Sequence, residues 1–205
     1  MVNILHKMLT IARRIKMSTT EPIRKEHDIY LLKELLINQN YRDYCLFVVG
    51  INIPLRISDL LRLKWNDVYD YPHNLPKTHL RIFEKKTQKQ NQMRINHQAA
   101  MALMTYREII NPMPNQFVFS PKDNHDVPLS RVSAYKIIKK AATKIGLENV
   151  SCHSLRKTFG YQAMSKGANI AVIMEIYNHS SYEITRRYLG IDQDEKDRVF
   201  ELMAL

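Results

Sequence analysis

Residues 151–190 read SCHSLRKTFGYQAMSKGANIAVIMEIYNHSSYEITRRYLG. Ser151 can cap a helix whose first turn holds His153, with Arg156 three residues further along the same face. A helix start offers unpaired N–H groups and the positive end of the dipole, so an arginine and a histidine added there make a phosphate pocket. The bland reading of the same residues is an exposed polar first turn. Downstream, Ser180 and Glu183 have the S-x-x-E spacing of a capping box, which predicts a helix start at 181. His179 then stands just outside that helix. Tyr188 lies a little over two turns into it, preceded by Arg186 and Arg187. Taken singly, a tyrosine on a short helix is usually packing, and a histidine near a cap is usually a solvated turn residue. Gly146, Gly167 and Asn178 fall where left-handed helix C-caps are expected.

The segments upstream predict helices first. Residues 26–38 place Ile29, Leu32 and Leu36 on one helical face. Residues 41–51 (YRDYCLFVVGI) are apolar enough to be buried, and Pro54 breaks them. A short helix follows over 55–63, with Ile57, Leu60 and Leu61 facing inward and Trp65 and Val68 packed beneath its end. The pattern then changes period. HLRIFE (79–84) and QMRIN (92–96) alternate, with Leu80, Ile82, Met93 and Ile95 apolar, and the polar stretch KKTQKQN joins them. This predicts a β-hairpin with a basic loop. A helix over 97–110 and a third short strand over 117–119 (FVF) come next. Helices over 130–146, 153–167, 169–177, 181–188 and 193–203 complete the chain. The expected fold class is α+β, mainly α, with one small three-stranded antiparallel sheet.

The 205 residues suit one domain with a small appendage, and the hydrophobic and charged fractions, 45% and 25%, are those of a folded globular protein. Lys and Arg total 31 against 20 Asp and Glu, a net charge of +11. Such a surface favours polyanions, but by itself leaves DNA, RNA, heparin-like polymers and simple solubility open. Cys45 and Cys152 are too few for a disulfide framework and have no zinc-binding spacing, which fits a reducing cytoplasm. No apolar run approaches the ~20 residues that span a bilayer. Residues 1–20 form a basic segment whose amphipathic stretch, Met1 to Lys16, has Arg13, Arg14 and Lys16 at its end, whereas a secretory signal puts the charges first. It reads as a surface helix or as an arm lying on DNA phosphates, and Met17 is an alternative start.

Three stretches together resemble the tyrosine recombinase (phage integrase) family. HSLRKTFGYQAMSKGANIAVIMEIYNHSSYEITRRYL is similar to the family's paired C-terminal motifs: an H-x-x-R box, a helix, a G-H-S-S-like turn and a final R-Y-L. PLRISDLLRLKWNDV resembles the first arginine box, and LRIFEKKTQKQNQMRIN resembles the β2–β3 hairpin that carries a catalytic lysine. The boxes stand in the family's order and the resemblance covers roughly residues 20–203. It divides the chain into the segment 1–20, a catalytic domain over 21–192, and a C-terminal helix over 193–205.

Carried over, the resemblance implies six catalytic positions: Arg56, Lys86, His153, Arg156, His179 and the nucleophile Tyr188. Lys85 and Lys89 are rivals of Lys86, because hairpin register is not legible in the sequence. Pro54 stands where the family often has small flexible residues. Asn178 replaces the usual glycine before the histidine, a change that a left-handed cap tolerates.

The implied chemistry is strand breakage and rejoining. Two arginines fork onto the non-bridging oxygens of a phosphodiester, a task for planar guanidinium. His179 adds a hydrogen bond, His153 accepts the phenol proton, and Lys86 protonates the leaving 5′-oxygen. No metal or cofactor is implied. The implied partners are double-stranded DNA, further copies of the chain in a tetramer on that DNA, and accessory DNA-bending proteins, with no membrane. The first box, at residue 56, leaves no room ahead of it for the family's helical core-binding domain. The amphipathic tail can dock on its own core or be donated to a neighbouring protomer. The rival readings are a DNA-binding regulator that recombines nothing and a type IB topoisomerase-like relaxing enzyme. The full set of six argues against the first, and the sequence does not separate the second.

Overall fold

The computed structural model describes residues 20–84, 89–191, 197 and 200–203. Most of the expected helices are present. α1 (Glu26–Ile37) buries Leu32 and Leu36, and α2 (Tyr41–Asn52) buries the run from Cys45 to Gly50. Asn40 caps α2 through its side chain, which accepts from the Arg42 N–H at 2.9 Å. Pro54 follows two residues after α2, as a helix-terminating residue should. The short α3 (Ile57–Leu60) and α4 (Trp65–Val68) then seat Ile57, Leu60, Leu61, Trp65 and Val68 in the core. α5 (His97–Ile110) packs along α2, and Asn111 ends it in the left-handed conformation at φ 43°.

The sheet content differs from expectation. β1 (Tyr69–Asp70) pairs with β2 (Leu75–Pro76) around a turn that includes left-handed Asn74. β3 (His79–Glu84) pairs antiparallel with β4 (Lys89–Arg94). The hairpin is therefore correct, but β4 begins three residues earlier than the alternation predicts. Its polar start is recruited by backbone pairing rather than by a buried face. Leu80 opposite Met93 supplies the core side.

The third strand over 117–119 does not form. Phe117 makes a single bridge with Lys64, its N–H donates to His125, and the N–H of Val118 donates to Leu63. The Phe119 carbonyl accepts from Leu129. The hydrogen bonds of this segment thus go to several different stretches, so no ladder builds, although Val118 and Phe119 are fully buried as a core strand would be. Among the described residues, two two-stranded sheets stand in place of the expected three-stranded one.

The C-terminal half places the chemistry. α6 (Arg131–Lys144) is capped by Ser130. α7 (Cys152–Ser165) starts in a reciprocal Ser151–Ser154 capping box. α8 (Ile170–Tyr177) ends on left-handed Asn178, and α9 (Tyr182–Leu189) ends on left-handed Gly190. Gly146, Gly167 and Asn178 all have positive φ, as expected. The cap of α9 is Ser181, not Ser180: its hydroxyl accepts from the Ile184 N–H, and the helix starts one residue later.

α7 joins two cores. Leu155 reaches the main core, where Gly50 leaves it room on α2: a Cβ there would lie 2.7 Å from its Cδ1. Phe159, Tyr161 and Met164 line a smaller core with Ile173, Tyr177, Leu189 and Ile191. Residues 20–24 strap across this unit. Ile23 N–H donates to the Thr158 hydroxyl at 2.8 Å, Gln162 donates to the carbonyls of Ile23 and Arg24, and Arg24 donates to the Gly190 carbonyl at 3.1 Å.

The expectations for residues 1–19 lie outside the described residues. Those for 193–205 lie mostly outside them. Among the described residues of that tail, Phe200, Leu202 and Met203 are exposed. No helix among the described residues is long and apolar enough to cross a membrane.

Candidate active site

Five of the six expected catalytic residues line one cleft. Arg56, His153, Arg156, His179 and Tyr188 share a cavity of about 540 Å³ with Ile57, Ser58, Arg131, Asn178, Ser180 and Ile184. The sixth, Lys86, lies outside the described residues, as does Lys85. Lys89 closes the hairpin ladder opposite Glu84, and only its backbone is described.

Each side chain is held by the local fold. Arg56 is the residue from which α3 springs, so its carbonyl is tied to the N–H groups of Asp59 and Leu60. Arg156, in the second turn of α7, is only 5% exposed. Its guanidinium donates to the backbone carbonyls of Pro54 and, at 3.1 Å, Tyr177, and lies 4.6 Å over the Tyr177 ring. Pro54 is thus the acceptor that ties Arg156 to the segment leading into Arg56. Charge-assisted bonds from a buried guanidinium to two backbone carbonyls are strong and fix its plane in the cleft.

His179 follows the left-handed turn at Asn178, and its Nδ1 lies 3.1 Å from the Thr185 hydroxyl. That hydroxyl donates to the Ser181 carbonyl at 3.2 Å, so Nδ1 carries the proton in this pair. The Nε2 lone pair of a neutral His179 is left as an acceptor. His153 is exposed on the first turn of α7, near Arg131 at the first position of α6.

The charges act in a consistent direction. Partial burial pulls the pKa of His153 down, and Arg131, Lys157 and Arg156 lower it further. Burial followed by Arg156 and Arg56 does the same to His179. Both imidazoles are therefore biased toward the neutral, proton-accepting form. The Tyr188 phenol is raised by burial, which outweighs the pull of Arg156, of Arg56 and of a hydrogen bond from Arg156. It is held as a neutral phenol, and a phenol must lose its proton to act as a nucleophile. Its ring stands edge-on to those of His179 (centroids 5.1 Å) and Tyr177 (5.6 Å), with the Lys157 ammonium 5.3 Å above it.

Arg131 and Tyr177 were not expected here. Arg131 had a signal in the sequence, a basic residue directly after a serine cap. Tyr177 had none, since its part depends on packing between helices. The cysteines take no part in the cleft. Both are buried thiols, and burial pushes Cys152 up to about 11.

The cleft holds two guanidiniums, two imidazoles and a half-buried tyrosine, and the sequence around it, residues 25–195, matches the Phage integrase family. The chain belongs to that family. It is 40% identical over 188 residues to the probable integrase/recombinase YoeC of Bacillus subtilis strain 168, covering 92% of this chain and 99% of the relative. It is 29% identical over 168 residues to the tyrosine recombinase XerD of Corynebacterium glutamicum, covering 78% of this chain and 51% of that protein. The chain thus spans nearly all of the first relative and about half of the second. Among solved structures, the XerA recombinase superposes with a TM-score of 0.70 at 21% identity, over 90% of this chain and 64% of that one. XerH bound to palindromic difH substrate, in a post-cleavage complex, gives 0.66 at 18% identity, over 85% and 51%. At these identities the structural matches show the shared fold.

Proposed function

We propose that the chain is a site-specific DNA recombinase that cleaves and rejoins strands through a 3′-phosphotyrosine at Tyr188, with 21–192 as its catalytic domain. The convergence of Arg56, His153, Arg156, His179 and Tyr188 on one cleft carries this reading. The relatives named as recombinases, and the neighbours captured on DNA, support it.

In the proposed reaction the Tyr188 oxygen attacks the phosphorus in line with the 5′-oxygen. Arg56 and Arg156 stabilise charge on the non-bridging oxygens, and this electrostatic stabilisation lowers the barrier of such a step more than any other contribution. The phenol proton passes to His153, with the acceptor Nε2 of His179 as its rival. Where Nε2 of His179 takes the phenol proton, the resulting imidazolium donates that N–H to the phosphoryl group. The P–O5′ bond breaks and the 5′-oxygen takes a proton from Lys86. The phosphoester bond is kept as a tyrosyl ester, so attack by a 5′-hydroxyl reverses the step without an external energy source. A type IB topoisomerase-like enzyme would share this cleavage and differ only in lacking site pairing. The reading puts the chain in the cytoplasm, at the nucleoid.

The test is to incubate the protein with supercoiled plasmid at low salt, where phosphate binding is strongest, and quench with SDS. The expected product is DNA that carries protein and is released by protease. Tight DNA binding with no covalent product would move the chain to the regulator reading.

We extend the proposal to assembly. The exposed apolar side chains of Phe200, Leu202 and Met203 suit a tail donated to a neighbouring protomer in a tetramer on DNA. Accessory DNA-bending proteins would shape the site. Removing residues 193–205 is expected to lower the solution mass of the protein–DNA complex. An unchanged mass would remove the tail from the assembly.

A further inference from the structure

Tyr177 sits beneath the reacting groups, and nothing in the expected catalytic set includes it. It is the last residue of α8 and is fully buried. Its hydroxyl donates to the Arg156 carbonyl at 2.5 Å, and its own carbonyl accepts from Arg156 Nη2 at 3.1 Å. The Arg156 guanidinium lies 4.6 Å over its ring. The His179 ring is 5.2 Å away, tilted at 50°, and the Tyr188 ring 5.6 Å away, edge-on at 75°. One aromatic ring therefore touches a phosphate-binding arginine, a histidine and the nucleophile.

The space for this ring is made by Gly160, one turn after Arg156 on α7. A Cβ at residue 160 would lie 2.5 Å from the Tyr177 hydroxyl oxygen, 3.0 Å from its Cε2 and 2.6 Å from Leu189 Cδ2. The left-handed turn at Asn178 then brings His179 back over the same ring.

We infer that Tyr177 is a positioning residue for strand cleavage, fixing Arg156, His179 and Tyr188 relative to one another through one buried ring. This rests on the recombinase reading of the same cleft. The physical ground is twofold. The electron-rich ring face holds a guanidinium plane in place. In-line displacement is position-sensitive, so a shift of the reacting group by about 1 Å can cost on the order of 10²-fold in rate.

Two substitutions grade the effect. Tyr177→Phe keeps the ring and loses the bond to the Arg156 carbonyl. Tyr177→Leu keeps an apolar core and loses the ring. The rate of SDS-trapped covalent complex on supercoiled plasmid, at saturating protein, is expected to fall about 3-fold in the first and about 30-fold in the second. DNA affinity should stay within about 2-fold in both, because phosphate contacts dominate it. In a His179→Ala background the cost of Tyr177→Leu should shrink to about 3-fold, since positioned partners couple and independent sites add.

Gly160→Ala approaches the ring from the other side and guards against a Tyr177→Leu protein that does not fold. It should slow cleavage, and Tyr177→Phe added to it should recover part of the rate by removing the crowded oxygen. A Tyr177→Leu rate within 3-fold of wild type, an undiminished effect in His179→Ala, or no recovery in the Gly160→Ala pair would overturn the inference.

If the wild type makes no covalent product, the recombinase reading fails separately. The positioning claim is then read from the His179 imidazole signals by NMR. They should move strongly in Tyr177→Leu and little in Tyr177→Phe. Equal or absent changes would overturn it.

Discussion

Tyr188→Phe is expected to bind DNA within about 3-fold of wild type and to form no covalent product. The exchange removes one oxygen and keeps the ring that meets His179 and Tyr177 edge-on. The ring is half-buried against the smaller core, so a phenylalanine of nearly the same shape is accepted there without a packing defect. Removing a covalent nucleophile from an otherwise intact site costs on the order of 10⁶ in rate, which places the variant below detection. A filter-binding isotherm beside an SDS-trapping time course makes the comparison. Covalent product from the variant would show that another tyrosine attacks.

The second large effect is at Arg156, where rate and stability should fall together. Arg156→Ala removes the two N–H groups that satisfy the buried carbonyls of Pro54 and Tyr177, and the cation stacked on the Tyr177 ring. Orphaning a buried acceptor costs roughly 1–3 kcal/mol, so the melting temperature should drop by several degrees. Losing a charged donor from the phosphoryl group costs about 10²–10³ in rate. Arg156→Lys should not restore the rate, because a single ammonium cannot hold both carbonyls and fork onto an anion. Arg56→Ala is the contrast. Its side chain is half-buried in the cleft, and it should lose a similar factor in rate with little change in melting. Thermal melts and single-turnover trapping on the three variants separate the cases. Arg156→Ala with wild-type melting would mean that the two carbonyls find other partners.

Much of this was legible in the sequence where local rules are strong. The helix over 97–110 was bounded correctly because the Asn96 side chain caps it and left-handed Asn111 ends it. The left-handed caps at Gly146, Gly167 and Asn178 followed from residue type alone. The histidine, arginine and tyrosine motifs, distant in sequence, fall in one cleft, although spacing within each box says nothing about the approach of one box to another.

The failures come where tertiary contacts override local pattern. FVF has strand composition, but its backbone partners are scattered around it and permit one bridge. Ser180 and Ser181 are chemically equal caps, and the return of the chain from His179 selects the later one. The start of β4 is polar and carries no periodic signal, yet it pairs as far as Lys89. Tyr177 reads as an ordinary core aromatic, and only the approach of α7, α8 and α9 reveals what it touches.

The central claim, a DNA phosphate carried on Tyr188, is tested most directly by digesting the SDS-trapped complex with nuclease and protease and sequencing the nucleotide-bearing peptide by mass spectrometry. The account predicts a single modified peptide, with the nucleotide on Tyr188 joined through its 3′-phosphate and a 5′-hydroxyl on the released strand. A nucleotide on any other of the 11 tyrosines, or a 5′-phosphate linkage, would contradict it.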